Sequence, residues 1–92
     1  MFINIGWNAE KNDKLTLERG VSFEDVIIAL DEGRVLDTIP HPNQTKYPGQ
    51  KIFIVNINEY CYLVPFIETT DQIFLKTMIP DRKATKKYLK KG

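Results

Sequence analysis

Hydrophobic positions in the first third of the chain follow the spacing of helices. A polar segment over residues 8–19 ends at Gly20, a residue type that readily adopts the left-handed conformation that closes a helix. Ser22 is a good N-cap for a second helix, and Asp25 stands three residues later, as in a capping box. The apolar stripe of this second helix consists of Phe23, Val26, Ile27 and Leu30. The pattern predicts two consecutive helices, the second with its stripe in the core.

Hydrophobic positions in the second half follow a strand pattern instead. Three runs rich in β-branched and aromatic residues span 51–57, 60–67 and 73–79, with short connections between them. The first connection, Asn58-Glu59, has only two residues, so we expect an antiparallel meander. Pro65 cannot donate a hydrogen bond to a neighbouring strand and therefore requires an edge strand or a bulge. Shorter strands are predicted over 2–6 and 34–39, and the proline-rich stretch 40–50 is predicted to be a loop.

A third helix is predicted at the end of the chain, over residues 81–91. Asp81 is its N-cap, directly after Pro80. Its narrow apolar stripe consists of Ala84, Thr85, Tyr88 and Leu89. We therefore expect one α+β domain over residues 1–92. In this fold two N-terminal helices pack on an antiparallel sheet of three to four strands in a two-layer sandwich, and a basic C-terminal helix closes the chain.

The composition is that of a small globular protein. The chain has 92 residues, of which 42% are hydrophobic and 27% are charged, so we expect one packed core and exclude the disordered class. No apolar run approaches the length of a membrane span, and residues 1–4 lack the charged start of a signal peptide, which predicts a cytoplasmic protein. Cys61 and His41 are the only residues of their types. Internal disulfides, cysteine zinc sites and histidine pairs are therefore excluded, and we expect no metal or cofactor.

Charge is distributed unevenly between the two halves of the chain. Residues 1–40 carry four cations against eight acids, a net charge of −4, whereas residues 41–92 carry nine against four, a net charge of +5. A basic region attracts polyanions, so nucleic acid is the expected class of partner. The last helix concentrates the charge in two rows, Arg82, Lys86 and Lys90, and Lys83, Lys87 and Lys91. These rows form a solvated face, or a surface that binds phosphates or an acidic partner.

Lys76 interrupts the apolar run over residues 73–79. Strand alternation predicts that Phe74, Lys76 and Met78 share one face, and because lysine is rarely buried without a partner, this face must be open to solvent or to a ligand. With Tyr60 and Tyr62 nearby on the neighbouring strand, the face can bind an unstacked RNA base. The alternative is an edge lysine that protects the sheet from aggregation.

These residues include the groups that RNA cleavage needs when neither metal nor histidine takes part. A base removes the 2′-hydroxyl proton, and cations stabilise the charge that gathers on the phosphoryl group. Lys76 is the candidate base, Arg82 the candidate for holding phosphate oxygens through two parallel hydrogen bonds, and Tyr88 the candidate for orienting or protonating. The candidate RNA-binding cations are Lys11, Lys83, Lys86 and Lys87.

Both ends of the sequence resemble the BrnT family of toxins. The beginning matches the family's opening over residues 7–12 and 18–25, and residues 73–88 resemble its closing strand and helix. The opening motif and the turn after it fall on Trp7, Asn8, Lys11, Asn12, Gly20, Val21 and Phe23, most of which we interpret as structural. The family's basic residue before the last helix falls on Lys76, and the arginine that opens this helix falls on Arg82.

The resemblance implies a RelE-like toxin fold and a ribonuclease that halts translation, as the toxin half of a bacterial type II toxin–antitoxin pair. It also implies a cognate antitoxin with a ribbon-helix-helix part, so that the hetero-oligomer binds operator DNA through the antitoxin. Arg19 stands where many relatives have histidine, and Lys87 where relatives often have glutamate, which leaves a site of cations and a tyrosine. Two alternatives stay open: a toxin that poisons a cellular machine by binding alone, and a non-toxic module whose basic helix recruits nucleic acid or an acidic partner.

Overall fold

Three helices form where the sequence predicts them in the computed structural model, which describes residues 4–89. Helix α1 spans Ala9–Arg19 and ends at Gly20, whose φ of 69° is left-handed. Helix α2 spans Phe23–Asp31 and begins after Ser22, whose backbone N–H donates to Asp25 Oδ2 at 2.9 Å. Helix α3 spans Arg82–Tyr88. Lys90 and Lys91, which were predicted to continue α3, lie outside the described residues.

The remaining elements form one sheet. Its strands are β1 (Asn4–Gly6), β2 (Val35–Pro40), β3 (Lys51–Ile57), β4 (Tyr60–Glu68), β5 (Gln72–Leu75) and β6 (Ile79–Pro80). Their order across the sheet is β1-β5-β4-β3-β2, and β6 also pairs with β4. Strands β2 to β6 pair antiparallel, whereas β1 pairs parallel with β5. Residues 2 and 3 of the first predicted strand lie outside the described residues.

The predicted fold class is wrong in three respects. The sheet of residues 4–89 has six strands rather than three to four, and the parallel β1–β5 pair makes it mixed rather than antiparallel. The helices also lie on both faces of the sheet, so the domain is not a two-layer sandwich. The strand over 2–6 was predicted, but a strand this short does not specify its neighbour, so the parallel pairing was missed. Strand β6 begins at the end of the predicted run 73–79, and the stripe of α3 does not specify which face of a sheet it covers.

The near face of the sheet, which α1 and α2 cover, holds the main core. Side chains from β3, β4 and β5 meet those of the two helices there, and the largest fully buried ones are Phe23, Phe66, Leu75 and Met78. Phe53 and Phe66 stack across β3 and β4, with ring centroids 3.9 Å apart. The predicted stripe of α2 is correct for Phe23 and Val26, but Ile27 is 38% exposed because Ala29 faces the sheet instead.

The far face of the sheet packs against α3. A second cluster forms there from Ile54, Cys61 and Ala84, with Leu63 and Tyr88 at its margin. Backbone hydrogen bonds fix the start of α3 against β4, because Asp81 N–H donates to Cys61 O at 2.9 Å. Thr85 Oγ1 in turn accepts a hydrogen bond from the Cys61 N–H at 2.9 Å. These contacts hold α3 across the middle of the sheet.

The predicted strand over residues 73–79 is broken, and Pro65 explains the break. Strands β5 and β6 pair with successive stretches of β4, and residues 76–78 bulge between them opposite Pro65. Lys76 N–H donates to Pro65 O at 2.8 Å, so the nitrogen of Pro65 also faces the bulged segment 76–78. Pro65 has no N–H to donate, and the bulge leaves this position without the usual strand-to-strand hydrogen bond. The bulge reverses the alternation, so the expectation that Phe74, Lys76 and Met78 share a face is wrong. Met78 is fully buried in the near-face core.

Candidate nucleic-acid interface

Helix α3 presents its cations to solvent above the far face. Ala84 and Thr85 are buried against the sheet, so the other sides of this short helix are exposed to solvent. The exposed cations of this surface, which we call the α3 cations, are Arg82, Lys83, Lys86 and Lys87. Within residues 4–89, no acidic side chain forms an ion pair with any of the four. Among the described residues, the helix therefore exposes four cations that form no ion pair.

A groove runs between α3 and strands β2, β3 and β4 on the far face. Its volume is about 310 Å³. The floor is aliphatic and consists of Ile39, Ile54, Leu63 and Ala84. The rim is polar and consists of Asp37, Asp81, Lys83, Lys87 and Tyr88. The groove thus combines an apolar floor with charges of both signs at its mouth, which is a common composition for sites that bind small polar groups.

Tyr88 and Asp37 join α3 to the edge strand β2 at this groove. The Tyr88 hydroxyl donates to Asp37 Oδ2 at 2.7 Å, and the Thr38 N–H donates to Asp37 Oδ1 at 2.8 Å. The hydrogen bond from Tyr88 lowers the pKa of the Asp37 carboxyl, and the bond to Asp37 raises the pKa of the Tyr88 phenol. Asp37 is therefore ionised at neutral pH, and the Tyr88 hydroxyl is already engaged as a hydrogen-bond donor to it.

Lys76 lies on the same face of the sheet but outside the groove. Its Nζ sits 5.5 Å from the centre of the Phe74 ring, at cation–π distance. Phe74 is half-buried and pairs with the exposed Ile67, so Lys76 closes a small apolar surface at the β5 side of the far face. Tyr62 instead packs into the near-face core and contacts Tyr60 edge to face. The two tyrosines expected beside Lys76 are therefore not on its side of the sheet.

The predicted catalytic residues are only partly brought together. Tyr88 lines the groove with Lys83 and Lys87, while Lys76 does not. The backbone at Lys76 bonds to Pro65 and the backbone just before Arg82 bonds to Cys61. Those two β4 residues are four apart, a separation of about 13 Å at the usual rise of a strand. Lys76 and Arg82 therefore stand on one face, with a gap between their backbones.

The opening motif, residues 7–12, links α1 to α2 on the near face of the sheet. Asn8 caps α1 by accepting from the Lys11 N–H at 2.9 Å, and Trp7 packs on Phe23 with ring centroids 5.6 Å apart. Asn12 Oδ1 accepts from the Phe23 N–H at 2.7 Å, and its amide donates to Glu24 Oε1 at 2.8 Å. This last bond lowers the pKa of Glu24. Lys11, a predicted RNA-binding cation, thus lies in the near-face layer, away from α3.

Arg19 and Lys87 occupy the two positions where the sequence departs from the BrnT pattern. The Arg19 guanidinium donates to the backbone oxygen of Met78, so it ties the end of α1 to the bulge after Lys76. Lys87 extends its Nζ to 5.2 Å from the centre of the Tyr88 ring. One position thus supports the bulge structurally, and the other adds a cation to the rim of the groove.

Sequence reasoning missed Asp37, the acidic member of this surface. Asp37 looked like one of eight acids in the acidic half of the chain, and nothing local distinguishes it. Its partner Tyr88 lies 51 positions away, so only the packing of α3 on the far face brings the two side chains together. The groove could not be predicted for the same reason, because it forms between elements whose relative placement the sequence pattern leaves open.

Among residues 4–89, no three His, Cys, Asp or Glu side chains are grouped so that they could hold a metal ion. None of the described helices is long and apolar enough to cross a membrane. A comparison of the sequence with protein-family models and with curated proteins finds no match to either.

Proposed function

We propose that this chain is the toxin of a type II toxin–antitoxin pair, similar to the BrnT toxins, and that it binds and cleaves RNA in the cytoplasm. The observation that supports this proposal is the cluster of four α3 cations, which form no ion pair within residues 4–89, on the same face as Lys76. Neutralising phosphates with such cations releases counterions, and this favours a polyanionic partner. The partner in this proposal is single-stranded RNA, because its bases are free to enter a groove beside the backbone.

Cleavage in this proposal follows the metal-free route. The 2′-oxygen loses its proton to a base and attacks the adjacent phosphorus, the bond to the 5′-oxygen breaks, and that oxygen takes up a proton. The products are a 2′,3′-cyclic phosphate and a 5′-hydroxyl end. The backbones of Lys76 and Arg82 are separated by about 13 Å along β4, and Lys76 Nζ lies over Phe74, so in this proposal the Lys76 side chain turns toward α3 when the two residues hold one phosphate.

A second function is favoured by the hydrogen bond between Tyr88 and Asp37. A tyrosine that already donates its proton to a carboxylate, and whose pKa is raised by that bond, is poorly suited to donate a proton to a leaving group. The alternative is therefore that this protein binds RNA through the same surface without cutting it. The two functions use the same surface, but only the first yields RNA cleavage products.

The partner that the proposed function requires is an antitoxin that covers the α3 cations. An acidic segment would neutralise Arg82 and Lys86, and it would compete directly with RNA because both bind the same charges. As the resemblance to BrnT toxins suggests, this antitoxin would carry a ribbon-helix-helix part, and the complex would bind operator DNA through it. No described residue of the toxin has to contact DNA in this arrangement.

Incubating the purified protein with total RNA in the presence of EDTA tests the proposal. The wild type should cut RNA and leave 5′-hydroxyl ends, and the double variant Lys76→Ala, Arg82→Ala should not. Lys14→Ala, which removes an exposed cation of α1 on the near-face side, should cut like the wild type. Binding without any cleavage would select the second function. Failure of the wild type to bind RNA would reject both.

A further inference from the structure

The groove beside α3 has the size and composition of a site for one nucleobase. Its volume of about 310 Å³ lies at the small end of the range for ligand pockets. The aliphatic side chains of Ile39, Ile54 and Leu63 offer an apolar floor for a base, and Lys83 and Lys87 stand at the rim where the attached phosphates would lie. A single-stranded RNA held by the α3 cations would therefore pass directly over this groove.

Asp37 provides a hydrogen-bonding group at the rim of the groove. An ionised carboxylate has about four acceptor sites on its two oxygens. One site on Oδ2 accepts the Tyr88 hydroxyl at 2.7 Å, and one on Oδ1 accepts the Thr38 N–H at 2.8 Å. One acceptor site therefore remains on each oxygen. Those two bonds also restrict rotation of the carboxylate, so its two remaining acceptors are held in place before a ligand binds.

We infer that this groove binds a guanine base of the RNA, and that Asp37 recognises its Watson–Crick edge. This inference rests on the proposed RNA-binding function. Guanine alone among the four bases presents two adjacent donors on that edge, the ring N1–H and the exocyclic amine. Adenine and cytosine place an acceptor beside their amine, and uracil places its one donor between two carbonyl oxygens. A carboxylate that can only accept therefore repels part of each of those edges and pairs with guanine through two parallel hydrogen bonds.

The neighbouring charges agree with this assignment. The pKa of Asp37 is lowered by the Tyr88 hydrogen bond, so the carboxylate is an acceptor without a proton of its own at neutral pH. Asp81, the other acid at the rim, already accepts from the Ala84 N–H at 2.8 Å as the N-cap of α3. Lys83 and Lys87 offset the repulsion between the Asp37 carboxylate and the RNA phosphates.

Binding of short fluorescent oligoribonucleotides tests the inference. The probes are a uridine pentamer and the same pentamer with guanosine, adenosine or inosine at its centre. Inosine keeps N1–H but lacks the exocyclic amine, so it tests the second hydrogen bond on the unmodified protein. The wild type should bind the guanosine probe roughly ten- to a hundred-fold more tightly than the adenosine probe, as expected for a bidentate pair, with inosine between them.

Two protein variants complete the test. Asp37→Asn replaces one acceptor by a donor and should abolish the guanosine preference while leaving binding of the uridine probe. Asp31→Asn removes an equal charge from the exposed surface of α2 and should keep the preference. Equal affinity of the wild type for all probes, or a preference that survives Asp37→Asn, would overturn the inference but leave the proposed function intact. Absence of binding to every probe would reject the proposed function itself.

Discussion

Two residues of the β3–β4 turn carry backbone strain. Asn58 and Glu59 have φ values of 54° and 64°, both in the left-handed region, as the two central residues of a tight hairpin turn require. The two-residue connection was predicted from the sequence, but Glu59 is a poor choice for this conformation, because a side chain costs about 1 kcal/mol or more there. The two-residue length of the connection requires this turn conformation. The pairing of β3 with β4 on either side holds Glu59 in it, although glutamate disfavours a positive φ.

Replacing Glu59 by glycine should therefore stabilise the protein. We expect the free energy of unfolding to increase by about 0.5 to 1 kcal/mol, because glycine adopts a positive φ without steric cost. Denaturant unfolding measures the change. Glu68→Gly, in the extended end of β4, is the control and should destabilise. A loss of stability in Glu59→Gly would show that the turn is not strained.

Phe23 and Leu17 differ sharply in burial although both are large hydrophobic residues of adjacent helices. Phe23 has an exposed fraction of 0%, whereas Leu17 is 88% exposed. Phe23→Ala should lower the free energy of unfolding by about 3 to 5 kcal/mol, because it opens a cavity under α2. Leu17→Ala should change it by less than about 0.5 kcal/mol. Thermal unfolding of both variants checks the prediction, and similar effects would mean that α1 and α2 pack differently from this description.

At the scale of elements, the hydrogen bond between Tyr88 and Asp37 links α3 to β2 in a pH-dependent way. The raised pKa of Tyr88 means that its contribution to stability is complete below the ordinary tyrosine value of 10.0 and is lost as the pH rises through the higher folded value. The lowered pKa of Asp37 means that its contribution is complete above the ordinary value of 3.8 and is lost as the pH falls through the lower folded value.

The melting temperature of Tyr88→Phe relative to the wild type should follow this dependence. The variant should be less stable near neutral pH, and the difference should shrink above pH 10.0 and below pH 3.8. Melting curves over this pH range measure it. Tyr60→Phe, in the exposed start of β4, serves as the matched control. A difference that stays constant with pH would mean that the hydroxyl does not bind an ionised Asp37.

Most elements could be predicted from the sequence, but the broken strand could not. Runs 51–57 and 60–67 coincide closely with β3 and β4, because strands that are buried on both faces form continuous runs of β-branched and aromatic residues. In the run 73–79, Pro65 on the neighbouring strand forces a bulge that only the register of β4 and β5 reveals. The bulge decides the position of Lys76, so the part of the candidate site that depends on Lys76 was the least predictable.

At the scale of the whole molecule, the two faces of the sheet are covered by helices from opposite halves of the chain. The acidic first half of the chain provides α1 and α2 for the near face, and the basic second half provides α3 for the far face. The charge asymmetry was visible in the sequence. The placement of the acidic and basic halves on opposite faces could not be predicted, because sequence pattern alone does not fix the face on which a terminal helix packs. Asp37 is an acidic residue that reaches the basic side.

This separation predicts the salt dependence of RNA binding. If the four α3 cations each neutralise one phosphate, the logarithm of the binding constant should fall with the logarithm of salt concentration with a slope of about −3. Arg82→Glu, Lys86→Glu should reduce the slope by half or more. Lys14→Glu changes the same type of charge on α1 and should leave the slope nearly unchanged. Equal slopes for all three proteins would contradict an α3 binding surface.

Growth after induced expression, with total RNA examined in the same cultures, tests the central claim most directly. The wild type and Lys14→Glu should arrest growth and cut RNA, and co-expression of the antitoxin should relieve the arrest. Arg82→Glu, Lys86→Glu should allow growth, leave RNA intact and bind the antitoxin weakly, because one surface serves both partners. Arrest by that double variant as complete as that of the wild type, or no arrest by the wild type, would contradict the account.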